Sequence, residues 1–138
     1  MDAVLRTVEV KSRLSKSGLE DAVQAAFRLH PNNSEGLKMA TYGKLPDGQS
    51  HYPFASLFAF ESDWNVSYEN LPDSFKRPES DLYVICVANR AFAADQHGPR
   101  ASTTKEVAVR HFMTMLLDSI EIDAATRKPF SVAEWLMR

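Results

Sequence analysis

Two opposite charges, Glu9 and Lys11, interrupt an apolar, β-branched run near the start of this sequence of 138 residues. β-Branched residues favour a strand, and a strand turns alternate side chains to one face, so both charges point the same way. We expect the strand to be mostly buried, where a charge costs several kcal/mol unless it is paired or binds a ligand. The pair is therefore either a functional site or an intrastrand ion pair at a sheet edge. The residues alone leave both interpretations open.

The spacing of Glu9 and Lys11 resembles half of the motif of the PD-(D/E)xK, or restriction-endonuclease-like, nuclease superfamily. The sequence looks most similar to uncharacterised bacterial branches, in which a Glu-Val-Lys-Ser strand leads through a short turn into a helix. The resemblance implies hydrolysis of a phosphodiester with Mg²⁺ as cofactor and DNA as partner. It implies that Glu9 and Lys11 are catalytic, because Glu9 holds the metal and Lys11 orients or activates the attacking water.

The sequence departs from this motif at the aspartate, which in the superfamily lies on the preceding strand, after a helix. Asp2 is the sole carboxylate before Glu9. Seven extended residues separate the two by roughly 23 Å, and the odd spacing turns them to opposite faces. We therefore expect the C-terminal portion of a nuclease-like domain, without the first helix and at least one strand. Glu61 or Asp63 is a candidate replacement, although solvated acids without function are common at strand ends.

A basic cluster surrounds the first strand and its turn. It comprises Arg6, Lys11, Arg13 and Lys16. Because nucleic acids are bound through their phosphates, we interpret Arg6, Arg13 and Lys16 as candidate substrate-binding residues. The net charge of −2 gives no overall attraction to nucleic acid, so binding would be local. An ordinary solvated surface is the alternative interpretation.

Composition predicts one domain over residues 1–138, because 44% of the residues are hydrophobic and can form a core. The single cysteine, Cys86, lies in an apolar run, which predicts a buried, reduced thiol and a cytoplasmic location. We expect no membrane partner, because no apolar run approaches the length of a membrane span. The four histidines lack metal-ligand spacing, which argues against a zinc site.

The pattern predicts an α/β fold, a mixed sheet with a parallel β-α-β core covered by helices, similar to a truncated restriction-endonuclease-like fold. Strands are expected over residues 4–11, 55–61 and 82–88, and long helices over residues 18–30 and 104–120. Capping boxes pair Ser17 with Glu20 and Thr103 with Glu106. Smaller predicted features are a turn at 46–48, a short helix at 67–71, loops at 73–81 and 93–103, and a final helix with Ser131, Glu134, Trp135 and Leu136.

Two classes of function follow from these patterns. The first is a nuclease-family domain, incomplete or inactive alone, that cleaves if a partner or another residue completes the site and otherwise binds DNA. The second is a non-enzymatic interaction module, such as a partner-binding or decoy protein. Either a protein partner or a second copy would pair with the first strand if that strand lies at the sheet edge. Gln24, on the first helix, is either a further site residue or an exposed helix residue.

Overall fold

The computed structural model describes residues 6–29, 54–77 and 80–126, which form an α/β fold. Its strands are β1 (Arg6–Leu14), β2 (Phe54–Ser62), β3 (Leu82–Val87), β4 (Phe92–Asp95) and β5 (Gly98–Arg100). Its helices are α1 (Lys16–Phe27) and α2 (Lys105–Thr126). Two short 3₁₀ turns, Tyr68–Asn70 and Ala88–Arg90, lie in the connections, and the first of them occupies the place of the predicted short helix.

The five described strands form one mixed sheet in the order β1-β2-β3-β4-β5. β2 runs parallel to both β1 and β3, whereas β3, β4 and β5 pair antiparallel. The predicted parallel β-α-β core is therefore confirmed, and β1, α1 and β2 form its first unit. Among the described strands β1 pairs with β2 alone, so it is the outer strand of this part of the sheet.

The two helices cover opposite faces of the sheet, which gives three layers. The α1 face buries Leu19, Ala22, Val23 and Ala26 of the helix against Leu57, Ala59 and Ile85 of the sheet. The α2 face buries Ala108, Phe112 and Leu116 against Val84, Cys86 and Ala93. Because both faces of β3 are covered, residues 84–87 are fully buried, as the unbroken apolar run predicted.

Both helices begin at a different cap from the one predicted. Ser15, rather than Ser17, is the N-cap of α1, and its hydroxyl accepts the Gly18 N–H at 3.0 Å. β1 continues to the buried Leu14, which leaves a single residue for the turn. At α2 the hydroxyl of Thr104, rather than Thr103, accepts a backbone N–H at 3.3 Å, and the helix extends beyond residue 120.

The prediction of an exposed loop over residues 93–103 is wrong, because this segment contains most of the β4–β5 hairpin. Ala93 and Ala94 are fully buried between their neighbouring strands. The Asp95 carboxylate, 3% exposed, accepts the N–H groups of His97 and Gly98 and pairs with Arg100. Gly98 has a φ of 147°, which a glycine adopts without steric cost.

Several predicted features lie outside the described residues: the turn at 46–48, the start of the first strand at 4–5, the end of the first helix at His30, and the final helix. The predicted loop over residues 73–81 contains the fully buried Phe75 in its described part. Neither described helix is long and apolar enough to cross a membrane.

Candidate functional site

β1 places Glu9 and Lys11 on the α1 face of the sheet, opposite Leu57 and Ala59 of β2. The Lys11 Nζ atom lies 2.6 Å from Glu9 Oε1, and these side chains are 26% and 43% exposed. The prediction of a mostly buried strand is wrong, because five of the nine residues of β1 are exposed. Burial therefore does not by itself indicate a function for this pair, because exposed ion pairs are common on protein surfaces.

The first turn of α1 lies directly beside the Lys11 side chain. A Cβ atom at Gly18 would stand 3.9 Å from Lys11 Cε and 3.0 Å from Ser15 Oγ. The lysine stem therefore lies at van der Waals distance from the capped end of the helix, and the tighter approach at Gly18 is that of the capping Ser15 hydroxyl. Backbone N–H groups at this end carry a partial positive charge. The site therefore combines one carboxylate with an ammonium and the positive end of a helix. The two positive groups could bind a phosphate next to the carboxylate.

Arg13 continues the same face of β1, two residues beyond Lys11. It lies opposite Glu61 in the parallel pairing, and its guanidinium contacts Glu61 at 3.3 Å and Asp63 at 3.5 Å. The Arg13 side chain is 66% exposed, so it remains accessible to a further anion. These contacts follow from the strand register, which the sequence pattern alone did not give.

The remaining two predicted phosphate-binding residues lie apart from each other. Lys16 is the exposed first residue of α1, next to the turn that follows β1. Arg6 lies on the opposite face of the sheet, where it donates to the Ser119 side chain at 3.0 Å and to its carbonyl at 3.1 Å. The structure thus brings Glu9, Lys11 and Arg13 together on one face, with Lys16 at the end of the strand, and separates Arg6 from them.

The register also tests Glu61 and Asp63 as replacements for the missing aspartate. Leu57 is the residue opposite Glu9, so Glu61 lies four residues, or about 13 Å, further along the sheet. A shared ion needs its ligand oxygens within about 2.1 Å, so Glu61 is too distant to complete the site, and Asp63 is further still. Among the described residues there is no group of three or more histidine, cysteine, aspartate or glutamate side chains that could hold a metal.

The donor set therefore fits a weak Mg²⁺ site and not a closed one. Mg²⁺ keeps several waters and is commonly bound by one or two carboxylates together with substrate phosphates. In the described part of the chain Glu9 is the carboxylate available for that role, with Lys11 as its neighbour.

Two other candidate groups lie elsewhere in the fold. Burial raises the pKa of the Cys86 thiol to about 12, so this cysteine is not a nucleophile at neutral pH. Gln24 is exposed on α1 and lines a cavity of about 230 Å³ together with Arg77 and Asp81.

Sequence reasoning did not identify Gly18 or Ser119, and no local pattern marks either residue, because their roles depend on tertiary neighbours.

No protein-family model and no curated protein matches this sequence. Among solved structures, NucC of P. aeruginosa ATCC27853 in its cAAA-bound form is similar, with a TM-score of 0.53 at 17% sequence identity. The similarity covers 97% of this chain and 59% of the NucC chain, so this chain spans about three fifths of that protein. At this identity the likeness shows the fold alone. That fold is a mixed α/β sheet with parallel strand pairs and two described helices, consistent with a restriction-endonuclease-like fold.

Proposed function

We propose that this chain is a nuclease-family domain related to metal-dependent phosphodiester hydrolysis, with a catalytic site that is incomplete in the isolated chain. One observation carries the proposal: Glu9 and Lys11 share the α1 face of the outer described strand, and Lys11 passes directly beside the first turn of α1. A rigid strand holds the carboxylate and the ammonium in fixed positions. The half-exposed face leaves both groups accessible to a large substrate such as DNA.

Each of the two residues has a distinct role in the proposal. The Glu9 carboxylate would hold the divalent ion, which polarises the scissile phosphate and lowers the pKa of a bound water. The Lys11 ammonium would orient the attacking water and offset the negative charge that develops on the phosphate.

DNA would approach along the β1 end of the α1 face. Arg13 and Lys16 flank the turn between β1 and α1 and are exposed, so they are the proposed contacts to the phosphate backbone. Arg6 is not among the proposed contacts, because its guanidinium donates to Ser119 on the other face. Each phosphate contact releases a counterion, and binding should therefore weaken steeply as salt is added.

A DNA-binding titration tests this arrangement without requiring cleavage. Fluorescence anisotropy with a labelled duplex, repeated over a range of salt concentrations, gives both the affinity and the salt slope. Lys11→Ala and Arg13→Ala should each weaken binding and reduce the slope by about 1. Lys105→Ala is the matched control, because Lys105 is an exposed lysine paired with Glu106 at the start of α2. An equal loss of DNA affinity in all three variants, or no DNA binding by the parent chain, would count against a DNA site on this face.

A cleavage assay tests the proposed incompleteness. The chain of 138 residues should not cut plasmid or single-stranded DNA with Mg²⁺ or Mn²⁺, and Glu9→Gln should leave that result unchanged. A longer form or partner that supplies an aspartate should give cleavage that both Glu9→Gln and Lys11→Ala abolish, while Glu106→Gln retains it. Robust cleavage by the chain as given, lost on Glu9→Gln, would show that the site is already complete.

A non-enzymatic interaction module is the second candidate, and the outer position of β1 favours it. The backbone edge of β1 that faces away from β2 is not paired with another described strand. If two copies paired antiparallel about Val10, Glu9 would lie opposite the partner's Lys11, and this charge pattern is self-complementary. Such a dimer would form through the same residues that the nuclease proposal uses for catalysis.

A charge swap distinguishes this second function. Glu9→Lys places like charges opposite each other in the paired strands and should convert a dimer to monomers in sedimentation equilibrium. Glu9→Lys combined with Lys11→Glu restores opposite charges and should restore the dimer. A parent chain that stays monomeric at high concentration would exclude self-pairing at β1.

A further inference from the structure

Two carboxylates of the neighbouring strand hold Arg13, one of the residues proposed to contact DNA. The Arg13 Nη2 atom lies 3.3 Å from Glu61 Oε2, and its Nε atom lies 3.5 Å from Asp63 Oδ1. Nε and Nη2 form one edge of the planar guanidinium, and such an edge binds a phosphate through two parallel N–H groups. A phosphate that binds this edge must therefore displace one or both of the acids.

The backbone holds these two acids in place beside the end of β1. The parallel pairing continues past Glu61 to Leu14 and Ser62, and the Asp63 N–H donates to the Leu14 carbonyl at 3.0 Å. Ser62, which lies between the acids, is 8% exposed and donates through its hydroxyl to the Trp64 carbonyl at 2.6 Å. The carboxylates are thus presented to Arg13 from a fixed stretch of chain.

Arg90 holds the same stretch from a second direction. It belongs to the 3₁₀ turn Ala88–Arg90, which follows β3. Its Nε atom donates to the Ser62 hydroxyl at 3.2 Å, and its Nη2 atom donates to the Ser62 carbonyl at 3.4 Å. Residues 61–63 are therefore anchored on both sides, by β1 and by the turn after β3. An internal partner that is already fixed in position competes well with an external ligand, because it loses little further freedom on binding.

We propose that Glu61 and Asp63 compete with DNA phosphates for the guanidinium of Arg13 and thereby limit the affinity of this face for DNA. The competition rests on the proposed function, because it concerns the same DNA-binding face. The two carboxylates are 54% and 50% exposed, so each ion pair is weak enough for a phosphate to displace. Arg13 therefore contributes less to DNA binding in the parent chain than it would without the two acids.

Direct repulsion between the acids and the DNA would also lower the affinity, and the dependence on Arg13 separates the two effects. Competition acts through the guanidinium, so removing the acids strengthens DNA binding only while Arg13 is present. Repulsion acts on the phosphates themselves and needs no arginine. A double-mutant cycle between Arg13 and the acids measures this difference.

Fluorescence anisotropy with a labelled duplex at one fixed salt concentration provides the Kd values for this cycle. Glu61→Gln with Asp63→Asn should lower the Kd about threefold to tenfold, because two exposed ion pairs no longer compete. In an Arg13→Gln background the same pair of substitutions should change the Kd by less than about twofold. Glu106→Gln with Glu121→Gln is the matched control, because it removes two exposed acids from α2, and it should also change the Kd by less than about twofold.

The possible outcomes separate this proposal from the proposed function. Equal strengthening with and without Arg13 would indicate repulsion and overturn the competition. An unchanged Kd in the acid variant, together with weaker binding in Arg13→Gln, would also overturn it while leaving the DNA site in place. No DNA binding by the parent chain or by the acid variant would contradict both proposals. Circular dichroism checks that each variant is folded, and the single variants Glu61→Gln and Asp63→Asn replace the double variant if it is not.

Discussion

Arg13 pairs in register with Glu61 across β1 and β2, and its guanidinium contacts both Glu61 and Asp63. The two carboxylates at the end of β2 are thereby engaged by a cation of the neighbouring strand. They are also displaced along the sheet from Glu9, which lies opposite Leu57. The pair of Glu9 and Lys11 and the cluster around Arg13 are therefore two neighbouring charge groups and not one metal site.

Neutralising the acids at the end of β2 should not change metal binding. The variant Glu61→Gln with Asp63→Asn is expected to keep the divalent affinity of the parent chain within about twofold, because neither carboxylate reaches an ion at Glu9. Arg13→Ala should cost less than about 1 kcal/mol of stability, since these ion pairs are exposed. Titration calorimetry and urea unfolding measure the two effects. A large fall in affinity in the double variant would show that the β2 acids are ligands.

Divalent metal binding by the isolated chain should be weak and should depend on Glu9. With one strand carboxylate among the described residues, calorimetry with Mg²⁺ or Mn²⁺ should show no site tighter than about 0.1 mM. Any residual signal should be lost in Glu9→Gln and kept in Glu106→Gln. A tight signal that depends on Glu9 would instead reveal a second carboxylate ligand outside the described residues.

The parts of the fold that the sequence predicted are those with strong local periodicity. The apolar run of β3 predicted a strand buried on both faces, and residues 84–87 are fully buried. The alternation of β1 placed Glu9 and Lys11 on one face, and the order of elements predicted the parallel pairing of β1 with β2. These inferences depend on side-chain period and connection handedness, both of which are local properties.

The features that the sequence did not predict depend on tertiary neighbours. The β4–β5 hairpin has no strand pattern in the sequence, because Ala93 and Ala94 have weak strand preference and their burial between neighbouring strands decides their conformation. The exposure of β1 depends on where α1 packs. The choice of Ser15 over Ser17 as the cap depends on how far β1 continues. The contact of Arg6 with Ser119 joins residues 113 positions apart in sequence.

Removing the partner of Arg6 should destabilise the fold. Ser119 is 5% exposed, and its hydroxyl accepts from Arg6 while it donates to Leu116. Ser119→Ala should cost only about 1 kcal/mol of stability, because the Arg6 guanidinium still donates to the backbone carbonyl of residue 119. The Tm should fall by roughly 4 °C. Thr114→Ala, at an exposed position of the same helix, is the control and should change the Tm little. Equal Tm values for parent and Ser119→Ala would contradict a structural role for this bond.

The buried carboxylate of Asp95 should contribute more to the free energy of unfolding than the hydroxyl of Ser119 does. It accepts two turn N–H groups and pairs with Arg100, so Asp95→Ala removes the acceptor of two part-buried hydrogen bonds and the partner of a half-exposed guanidinium. The expected loss is about 1–3 kcal/mol in urea unfolding. Asp95→Asn keeps an acceptor oxygen for the turn and should lose less. Asp118→Ala, an exposed acid on α2, is the control. A loss below about 0.5 kcal/mol in Asp95→Ala would show that the hairpin does not depend on this carboxylate.

Cys86 should make stability fall at high pH. Its thiol pKa is raised by burial from 9.0 to about 12, so between these values the native state holds a proton that the unfolded state releases. Because the unfolded state binds fewer protons, unfolding becomes more favourable as pH rises from about 9 to about 12. The free energy of unfolding of the parent chain should therefore fall more steeply with pH over this window than that of Cys86→Ala, in which the other titrating groups are unchanged. Parallel profiles for the two proteins would show that the thiol ionises equally in both states.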